Sequence, residues 1–406
     1  MTVARDNLDA LTGLRFVAAL TIALGHTEAL WLEITGIGMP LFFTLSGFII
    51  HYVYADVFAG SWRGATREFA AARFSRIYPL YFVLLVFSLT HGPMRPALMN
   101  AEGLPVLASY FLACWTWWPI TLNGELLLEW YFHISWSVST EIFFYVAYAL
   151  VFYRLARLNS LRGCLIVLIG FCVGAYGLFY VLFLTRDVWE AFVLQHFPYF
   201  TPRTVNFNGS FYRWLLYVSP YSRIFEFIGG VLTCQLYRLV RARPELRARI
   251  PSGSLAVLAV VLITVMFAAF RYLGVVSHWL AEGNYSFSAY YVSLHMNFLL
   301  AAPCYLLIFS LALGGSAIGA ALSSRLCGLL GDVSYSTYLS HPLAERILFH
   351  SGLVITAWWA HLLVILAIIY GMSWVLYTVV EVPAKRGLRQ LLTPRRLVVA
   401  APSGGG

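Results

Sequence analysis

The stretch LTGLRFVAALTIALGHTEALW, residues 11–31, decides how the rest of this chain is interpreted. It is long and apolar enough to cross a bilayer, which takes about 20 mostly apolar residues. Yet it contains Arg15 and His26, and ionisable side chains are costly inside hydrocarbon. At ~1.5 Å of rise and about 100° of turn per residue, the two side chains lie about 16 Å apart along one helix face. The stretch therefore predicts a membrane-spanning helix with a cation toward one end and an imidazole toward the other.

The composition of the whole chain is that of a polytopic membrane protein. Of its 406 residues, 60% are hydrophobic and 11% are charged, whereas soluble domains contain about 25% charged residues. A net charge of +9 would favour nucleic acid as the partner of a soluble protein. In a membrane protein the same excess indicates basic cytoplasmic loops, so we predict a lipid bilayer and no nucleic acid as partner. The cysteines form no CxxC pair, so neither a disulfide framework nor a metal site is predicted.

Apolar runs predict an all-α fold of about ten transmembrane helices with both termini in the cytoplasm. Arginine clusters in residues 56–76, 154–163 and 238–250 mark the cytoplasmic connections. The run 104–118 breaks the alternation if it spans, so we predict a non-spanning or re-entrant segment there, with eleven spans as the alternative. The runs lie at about 11–31, 36–55, 77–90, 104–118, 134–153, 164–184, 221–237, 254–273, 289–313, 326–350 and 353–379.

The chain is predicted to form one membrane domain, residues 1–390, followed by a cytoplasmic tail, residues 391–406. No cleavable signal peptide is expected, because the first apolar run is too long for a signal h-region. The longest external loop runs from about residue 185 to 220 and is rich in aromatic side chains. Loops of this length often serve as lids or binding loops, and an interfacial helix is an equally good interpretation.

Ionisable residues recur in and beside the predicted spans, where each is a functional hypothesis. Arg73 and Arg76 lie one helical turn apart and suit a clamp for phosphates, although plain positive-inside anchoring is the simpler alternative. Glu141 lies about two turns inside its predicted span, at a depth similar to that of His26. We therefore expect the carboxylate to meet and orient the imidazole. A packed, structural histidine is the alternative for His26 taken alone.

Three further elements point to the same region. Tyr338 and His341 are predicted to lie in the outer half of their span, near His26. Arg223 and Glu226, at i and i+3, predict a buried structural ion pair. The Ser-Gly pair at 46–47 predicts a close approach of two helix backbones.

Taken in this order, the motifs resemble those of the acyltransferase-3 family of membrane O-acyltransferases. The resemblance covers nearly the whole chain, and its strength lies in the ordered set rather than in any single motif. The matching elements are Arg15 and His26 with ten residues between them, FFTLSGF (42–48), RFSRIYP (73–79), WSVSTE (136–141), YSTYLSH (335–341) and EVP (381–383).

The resemblance implies a ten-helix protein of the bacterial cytoplasmic membrane. Members move an acyl group, usually acetyl, from cytoplasmic acyl-CoA to a hydroxyl, and the implied donor is a substrate rather than a permanently bound cofactor. Family acceptors include exopolysaccharides, other glycans and macrolides. We expect a glycan or lipid-linked saccharide, with a macrolide-like molecule as the alternative. This chain is not expected to have the extracytoplasmic hydrolase-like domain that some members append.

The sequence leads to a definite mechanistic hypothesis. Arg15, Arg73 and Arg76 hold the acyl-CoA, His26 is the general base, and Glu141 orients it. A proton- or substrate-coupled transporter is the rival from a different class, since buried ionisable residues also form relays. Possible oxyanion or acceptor contacts are Ser137, Ser139, Tyr338 and His341.

Overall fold

The computed structural model describes residues 8–27, 34–91, 103–122, 125–127, 132–280, 299–353 and 355–392. These residues are almost wholly helical, which confirms the predicted all-α class. The one short ladder among them joins β1 (Thr121–Leu122) to β2 (Glu125–Leu126) in antiparallel register.

The helices follow most of the apolar runs, and they are numbered here in chain order. Short 3₁₀ helices lie at His133–Ser135 and Phe152–Arg157, and π-helical turns lie at Trp214–Val218 and Tyr377–Glu381. The helices are α1 Asp9–Gly25, α2 Thr35–Gly60, α3 Trp62–His91, α4 Gly103–Phe111, α5 Trp136–Leu150, α6 Leu161–Leu184, α7 Arg186–His196, α8 Phe211–Arg213, α9 Pro220–Arg241, α10 Pro244–Arg249, α11 Ser252–Leu280, α12 Ala301–Leu313, α13 Ala317–Leu322, α14 Arg325–Asp332, α15 Ser334–His350, α16 Trp358–Leu376 and α17 Val382–Leu392.

Five helical stretches in the described part of the chain are long and apolar enough to cross a bilayer. This finding indicates an integral membrane protein, while the count of ten spans and the side of the termini stay predictions. The remaining predicted spans form shorter or more polar helices, such as the 17-residue α1, and part of the run 289–313 lies outside the described residues. The five stretches are Gly36–Gly60, Trp62–Thr90, Leu161–Leu184, Ser252–Ala269 and Trp358–Leu392.

Two elements differ from the sequence-based expectation. Helix α3 begins at Trp62, so Arg73 and Arg76 lie within a long helix and not in the loop before it. The run 326–350 is not one helix, because α14 ends at Asp332 and α15 begins at Ser334. A Cβ on Gly331 would lie 2.1 Å from the Thr12 carbonyl oxygen. The last turn of α14 therefore packs directly on the backbone of α1, and the break lets α15 take its own direction.

The segment 104–118 begins with α4, which has nine residues. Nine residues are too few to cross a bilayer, which takes about 20, so this helix agrees with the non-spanning interpretation. The rest of the segment is irregular chain packed on α5, where the Thr116 hydroxyl donates to Ser139 Oγ at 2.8 Å.

Helices α2 and α9 pack closely against each other through two glycines. A Cβ on Gly47 would lie 2.1 Å from the Phe227 carbonyl oxygen, and one on Gly230 would lie 2.1 Å from the Thr44 carbonyl oxygen. Each helix thus presents a glycine to the backbone of the other, as small residues do between membrane helices. The close approach predicted at residues 46–47 is confirmed. It fixes α2, which forms one wall of the site described next.

Candidate active site

A cavity of about 330 Å³ lies between α1, α2, α3, α5 and α15. Arg15, Arg73 and Arg76 all line it, although α1 and α3 are distant in sequence. The three cations predicted to hold a phosphorylated donor therefore share one space. The other polar residues on its wall are Thr12, Ser46, Ser137, Glu141, Tyr145, Asp332, Tyr335 and Tyr338.

Aromatic rings hold the guanidinium of Arg73 within the protein. Its central carbon lies 5.3 Å from the Tyr54 ring centroid and 5.9 Å from the centroids of Phe69 and Tyr145. Cation–π contacts of this kind position a cation without neutralising it. The Arg73 Nε atom is buried and has no hydrogen-bond acceptor among the described residues. The side chain is therefore placed for an anion rather than consumed by a structural ion pair.

Glu141 lies in this cavity and not beside His26. Its Oε1 accepts hydrogen bonds from Ser46 Oγ and from the Tyr145 hydroxyl, both at 2.7 Å. The hydrogen bonds of the described residues thus do not join Glu141 to His26, contrary to the sequence-based expectation. The physical reason is that two side chains at a similar depth in the bundle can still point in different directions. Glu141 points from α5 toward α2, while His26 caps the far end of α1.

The described partner of His26 is instead His341 on α15. His341 Nε2 lies 3.3 Å from His26 Nδ1, and the ring centroids are 5.0 Å apart. His26 Nδ1 is also 2.8 Å from the Ile22 carbonyl oxygen, and His341 Nδ1 is 2.8 Å from the Tyr338 carbonyl oxygen. Carbonyl oxygens only accept, so both Nδ1 atoms donate. His341 Nε2 then carries a lone pair facing His26, and the lone pair of neutral His26 resides on Nε2.

This pairing gives His26 the form that a general base needs. Its Nδ1–H is shared between the Ile22 carbonyl and His341, and its Nε2 is left as an acceptor. His26 is exposed, whereas His341 is 1% exposed. His341 therefore contacts His26 from inside the protein.

A second cavity, of about 130 Å³, lies at the His26 end of α1. Trp136 and Tyr217 supply aromatic faces to it, and His133 and Arg213 supply polar ones. The larger and smaller cavities share two lining residues, Met39 and Tyr338. These two side chains form the partition between the space with the three arginines and the space with His26.

The remaining predicted contacts have other roles in this conformation. The Tyr338 hydroxyl donates to the Ile134 carbonyl oxygen at 2.9 Å, which fixes the partition. Ser137 lines the larger cavity and hydrogen bonds to Tyr338. Ser139 Oγ accepts hydrogen bonds from the Thr116 main-chain nitrogen and hydroxyl, and it lines neither cavity.

Comparison with known proteins identifies the family of this chain. The acyltransferase-3 family model, described as an acyltransferase domain, matches residues 8–378. The chain belongs to the acyltransferase-3 family. No solved structure matches the chain.

Two bacterial relatives match this acyltransferase-3 chain over shorter stretches. The O-acetyltransferase OatA of Staphylococcus aureus is 27% identical over 186 residues, which is 44% of this chain and 30% of that protein. The peptidoglycan O-acetyltransferase OatA of Listeria monocytogenes is 24% identical over 175 residues, which is 41% of this chain and 28% of that protein. The matched stretches thus span less than a third of either relative.

Three residues of this acyltransferase-3 site were not singled out from the sequence. Met39 lies in an ordinary apolar run, so nothing marks it as a partition. Arg213 and Tyr217 lie in the loop that is predicted to be external, and only the arginine's position in an aromatic-rich stretch could have indicated them. The π-helical turn that places them is not a pattern that apolar periodicity reveals.

Proposed function

We propose that this protein is a membrane O-acetyltransferase that moves an acetyl group from cytoplasmic acetyl-CoA to a hydroxyl of a glycan. The observation that carries the proposal is the pair of cavities meeting at Met39 and Tyr338. One holds three cations suited to a phosphorylated donor, and the other holds a histidine with a free Nε2 suited to deprotonate an acceptor.

The donor enters the larger cavity from the side where α1 begins. Arg15, Arg73 and Arg76 bind its phosphates, since guanidinium groups form strong charge-assisted hydrogen bonds to phosphate oxygens. Glu141 carries an acceptor oxygen in the same space, suited to an amide N–H of the pantetheine arm. The thioester then reaches the partition at Met39 and Tyr338.

The chemistry is a direct transfer. His26 Nε2 accepts the proton of the acceptor hydroxyl as its oxygen attacks the thioester carbonyl carbon. The carbon–sulfur bond then breaks, and the leaving CoA thiolate takes up the proton held on His26 Nε2, which returns His26 to its neutral form. The positive charge on the His26 ring is shared through Nδ1–H with His341 Nε2 and the Ile22 carbonyl oxygen, so the ring keeps its orientation through the step.

Two observations favour a glycan as the acceptor. The Staphylococcus and Listeria relatives are O-acetyltransferases, and the Listeria protein is named for peptidoglycan. Trp136 and Tyr217 present aromatic rings beside His26, and the ring planes of such side chains stack on sugar rings. We place the reaction at the bacterial cytoplasmic membrane, with the donor on the inner side.

Substitution of His26 tests the proposal. We expect His26→Ala to lower acetyl transfer by roughly 10²–10⁴-fold, the usual contribution of a general base. The variant should keep its thermal stabilisation by acetyl-CoA, because His26 does not line the larger cavity. Transfer is measured with radiolabelled acetyl-CoA and a cell-wall glycan preparation, using protein in lipid nanodiscs.

His196→Ala is the matched control, because His196 is an exposed histidine at the end of α7 and lines neither cavity. Near-normal transfer by His26→Ala, in protein that still binds acetyl-CoA, would refute the assignment. Solute flux through liposomes in the absence of acetyl-CoA would support a transporter instead.

A further inference from the structure

The cavity beside His26 has the electrostatic character of an anion site. Arg213, His133 and His26 line it, and none of its lining residues in the described part of the chain is acidic. Its aromatic faces are Trp136 and Tyr217. A neutral acceptor needs no guanidinium there, and burying an uncompensated cation has a free-energy cost.

The local backbone fixes the position of Arg213 beside this cavity. Ser210 Oγ accepts a hydrogen bond from the Arg213 main-chain nitrogen at 3.2 Å and so caps the short helix α8. The π-helical turn Trp214–Val218 follows, and the guanidinium carbon of Arg213 lies 4.0 Å from the Tyr217 ring centroid. The guanidinium therefore lies over the Tyr217 ring, a contact that positions a cation without neutralising it.

The other arginines of this external region already have acceptors. Arg186 Nη1 donates to a main-chain carbonyl oxygen at 2.8 Å. Arg203 forms ion pairs with Asp187 and Glu190, and its hydrogen bond holds the pKa of Asp187 below its usual value. Among the described residues, the buried Nε of Arg213 has no acceptor, and the same is true of the Nε of Arg186. The difference lies in the terminal nitrogens, because Arg213 has no hydrogen-bond acceptor for any side-chain atom in the described part of the chain. Polar groups inside a protein are normally satisfied, so a guanidinium without any acceptor beside a cavity favours an anionic ligand there.

The turn that presents Arg213 is anchored on the catalytic bundle. Thr140 Oγ1 donates to the Val218 carbonyl oxygen at 2.7 Å, and Trp214 Nε1 donates to the Thr116 carbonyl oxygen at 3.2 Å. Arg213 is therefore fixed relative to α5 and does not swing with a loose loop. A preorganised cation loses little entropy on binding an anion.

We infer that the acceptor is an anionic saccharide, whose carboxylate or phosphate binds Arg213 while a sugar ring packs on Tyr217 and Trp136 and presents a hydroxyl to His26. This inference rests on the proposed transferase function for the role of His26. The shared chemistry is a negatively charged group close to the acetylated hydroxyl, supplied either by an acidic sugar or by a sugar phosphate.

Binding of defined saccharides tests the inference apart from catalysis. Thermal stabilisation of the protein in nanodiscs is measured with digalacturonate, with its neutral methyl ester and with trehalose 6-phosphate. We expect stabilisation by a charged saccharide and none by the ester, with the two charged probes telling carboxylate from phosphate. Arg213→Gln should weaken that binding by at least about tenfold, since a hydrogen bond to a charged group is lost. Arg213→Lys should retain part of it.

Arg186→Gln is the matched control, because Arg186 lies in the same region but lines neither cavity. Stabilisation by acetyl-CoA shows that each variant is folded, as the larger cavity does not include Arg213. The inference is overturned if neither charged saccharide binds, if the ester binds equally well, or if Arg213→Gln binds them normally. Binding without acetyl transfer would preserve the anion site and count against the proposed transferase activity.

Discussion

The histidine pair at the end of α1 shows how a main-chain carbonyl oxygen can select one imidazole tautomer. The Ile22 oxygen requires the proton of His26 on Nδ1, and His341 Nε2 faces that same proton. His341 is itself set by the Tyr338 carbonyl oxygen, so the two rings form a chain with a defined direction. This series of hydrogen bonds ends at His26 Nε2, the atom that we propose accepts the proton.

His51 on α2 is a useful contrast, since it is a buried histidine that is fully satisfied. Gln235 uses its amide nitrogen to donate to two carbonyl oxygens, so its Oε1 accepts from His51 Nε2 at 3.2 Å. His51 Nδ1 then accepts from the Tyr148 hydroxyl at 3.1 Å. Both ring nitrogens are used within the bundle, so His51 ties helices together and has no atom left for chemistry.

We predict that His341→Ala will lower the turnover number by about tenfold or more, and by less than His26→Ala does. The reason is that the His26 ring loses the acceptor that shares its charge, while the Ile22 carbonyl oxygen still selects the tautomer. The KM for acetyl-CoA should stay unchanged. Steady-state kinetics of the two single variants and the double variant provide the measurement.

The double variant separates positioning from general destabilisation. If His341 acts through His26, then adding His341→Ala to His26→Ala should cause little further loss of turnover, because residues that act as a unit are non-additive. Losses that multiply would instead assign His341 an effect unrelated to the base. The Tm of each variant shows whether the buried ring is also needed for folding.

At the residue scale, the sequence predicts which ionisable side chains line the larger cavity better than it predicts which side chains hydrogen bond to each other. The spacing of Arg15 and His26 places them on one helix face, and Arg73 and Arg76 join Arg15 in one cavity. Glu141 shows the limit of prediction from helix spacing. Its depth can be counted along the helix, but its direction depends on how α5 is rotated against α2, and that rotation is set by packing.

At the element scale, the observed helices differ from the predicted ones mostly in where they begin, end and break. The division of α14 from α15 at Val333 lies in a run that reads as continuous, because its cause is the contact of Gly331 with the α1 backbone. Apolar periodicity reports which face is buried, and it carries no information about a neighbour that is distant in sequence. The Ser-Gly pair at 46–47 could be predicted because a small residue has a specific use between membrane helices.

We predict that Gly47→Ala will destabilise the protein, because the new Cβ would lie 2.1 Å from the Phe227 carbonyl oxygen. Relief of that overlap requires α2 and α9 to separate, and overpacking of this kind typically costs about 1–3 kcal/mol. The expected result is a Tm several degrees lower for detergent-solubilised protein, with less material in the membrane fraction.

Gly174→Ala is the matched control, because it makes the same substitution in α6 at a position where nothing lies within 4 Å of the new Cβ. This variant should keep the parent Tm or exceed it slightly, since alanine is the better helix former. Equal losses in the two variants would show that helix propensity and not the α2–α9 contact is responsible.

On the scale of the whole molecule, the two cavities make the two ends of the bundle chemically different. The arginine cavity lies where α1 begins, and the His26 cavity lies where it ends. The mechanism requires the first to face the side that holds CoA. Loop charge predicts that side from the sequence, because the arginine-rich connections at 56–76 and 154–163 indicate the cytoplasm. Neither helix lengths nor cavity shapes establish which end of the bundle faces the cytoplasm, since a bundle has the same contacts in either orientation.

Helix α6 offers a direct test of that orientation. It has 24 residues and would extend about 36 Å, enough to cross a hydrocarbon core of about 30 Å. Asn159 precedes it and Asn208 follows it, and both are exposed. We predict that a membrane-impermeant maleimide will label Asn208→Cys in intact cells and Asn159→Cys only after permeabilisation. The six native cysteines are buried or half-buried, and the parent protein measures their background. Labelling of Asn159→Cys in intact cells would place the three arginines on the outer side, away from CoA, and the donor assignment would then fail.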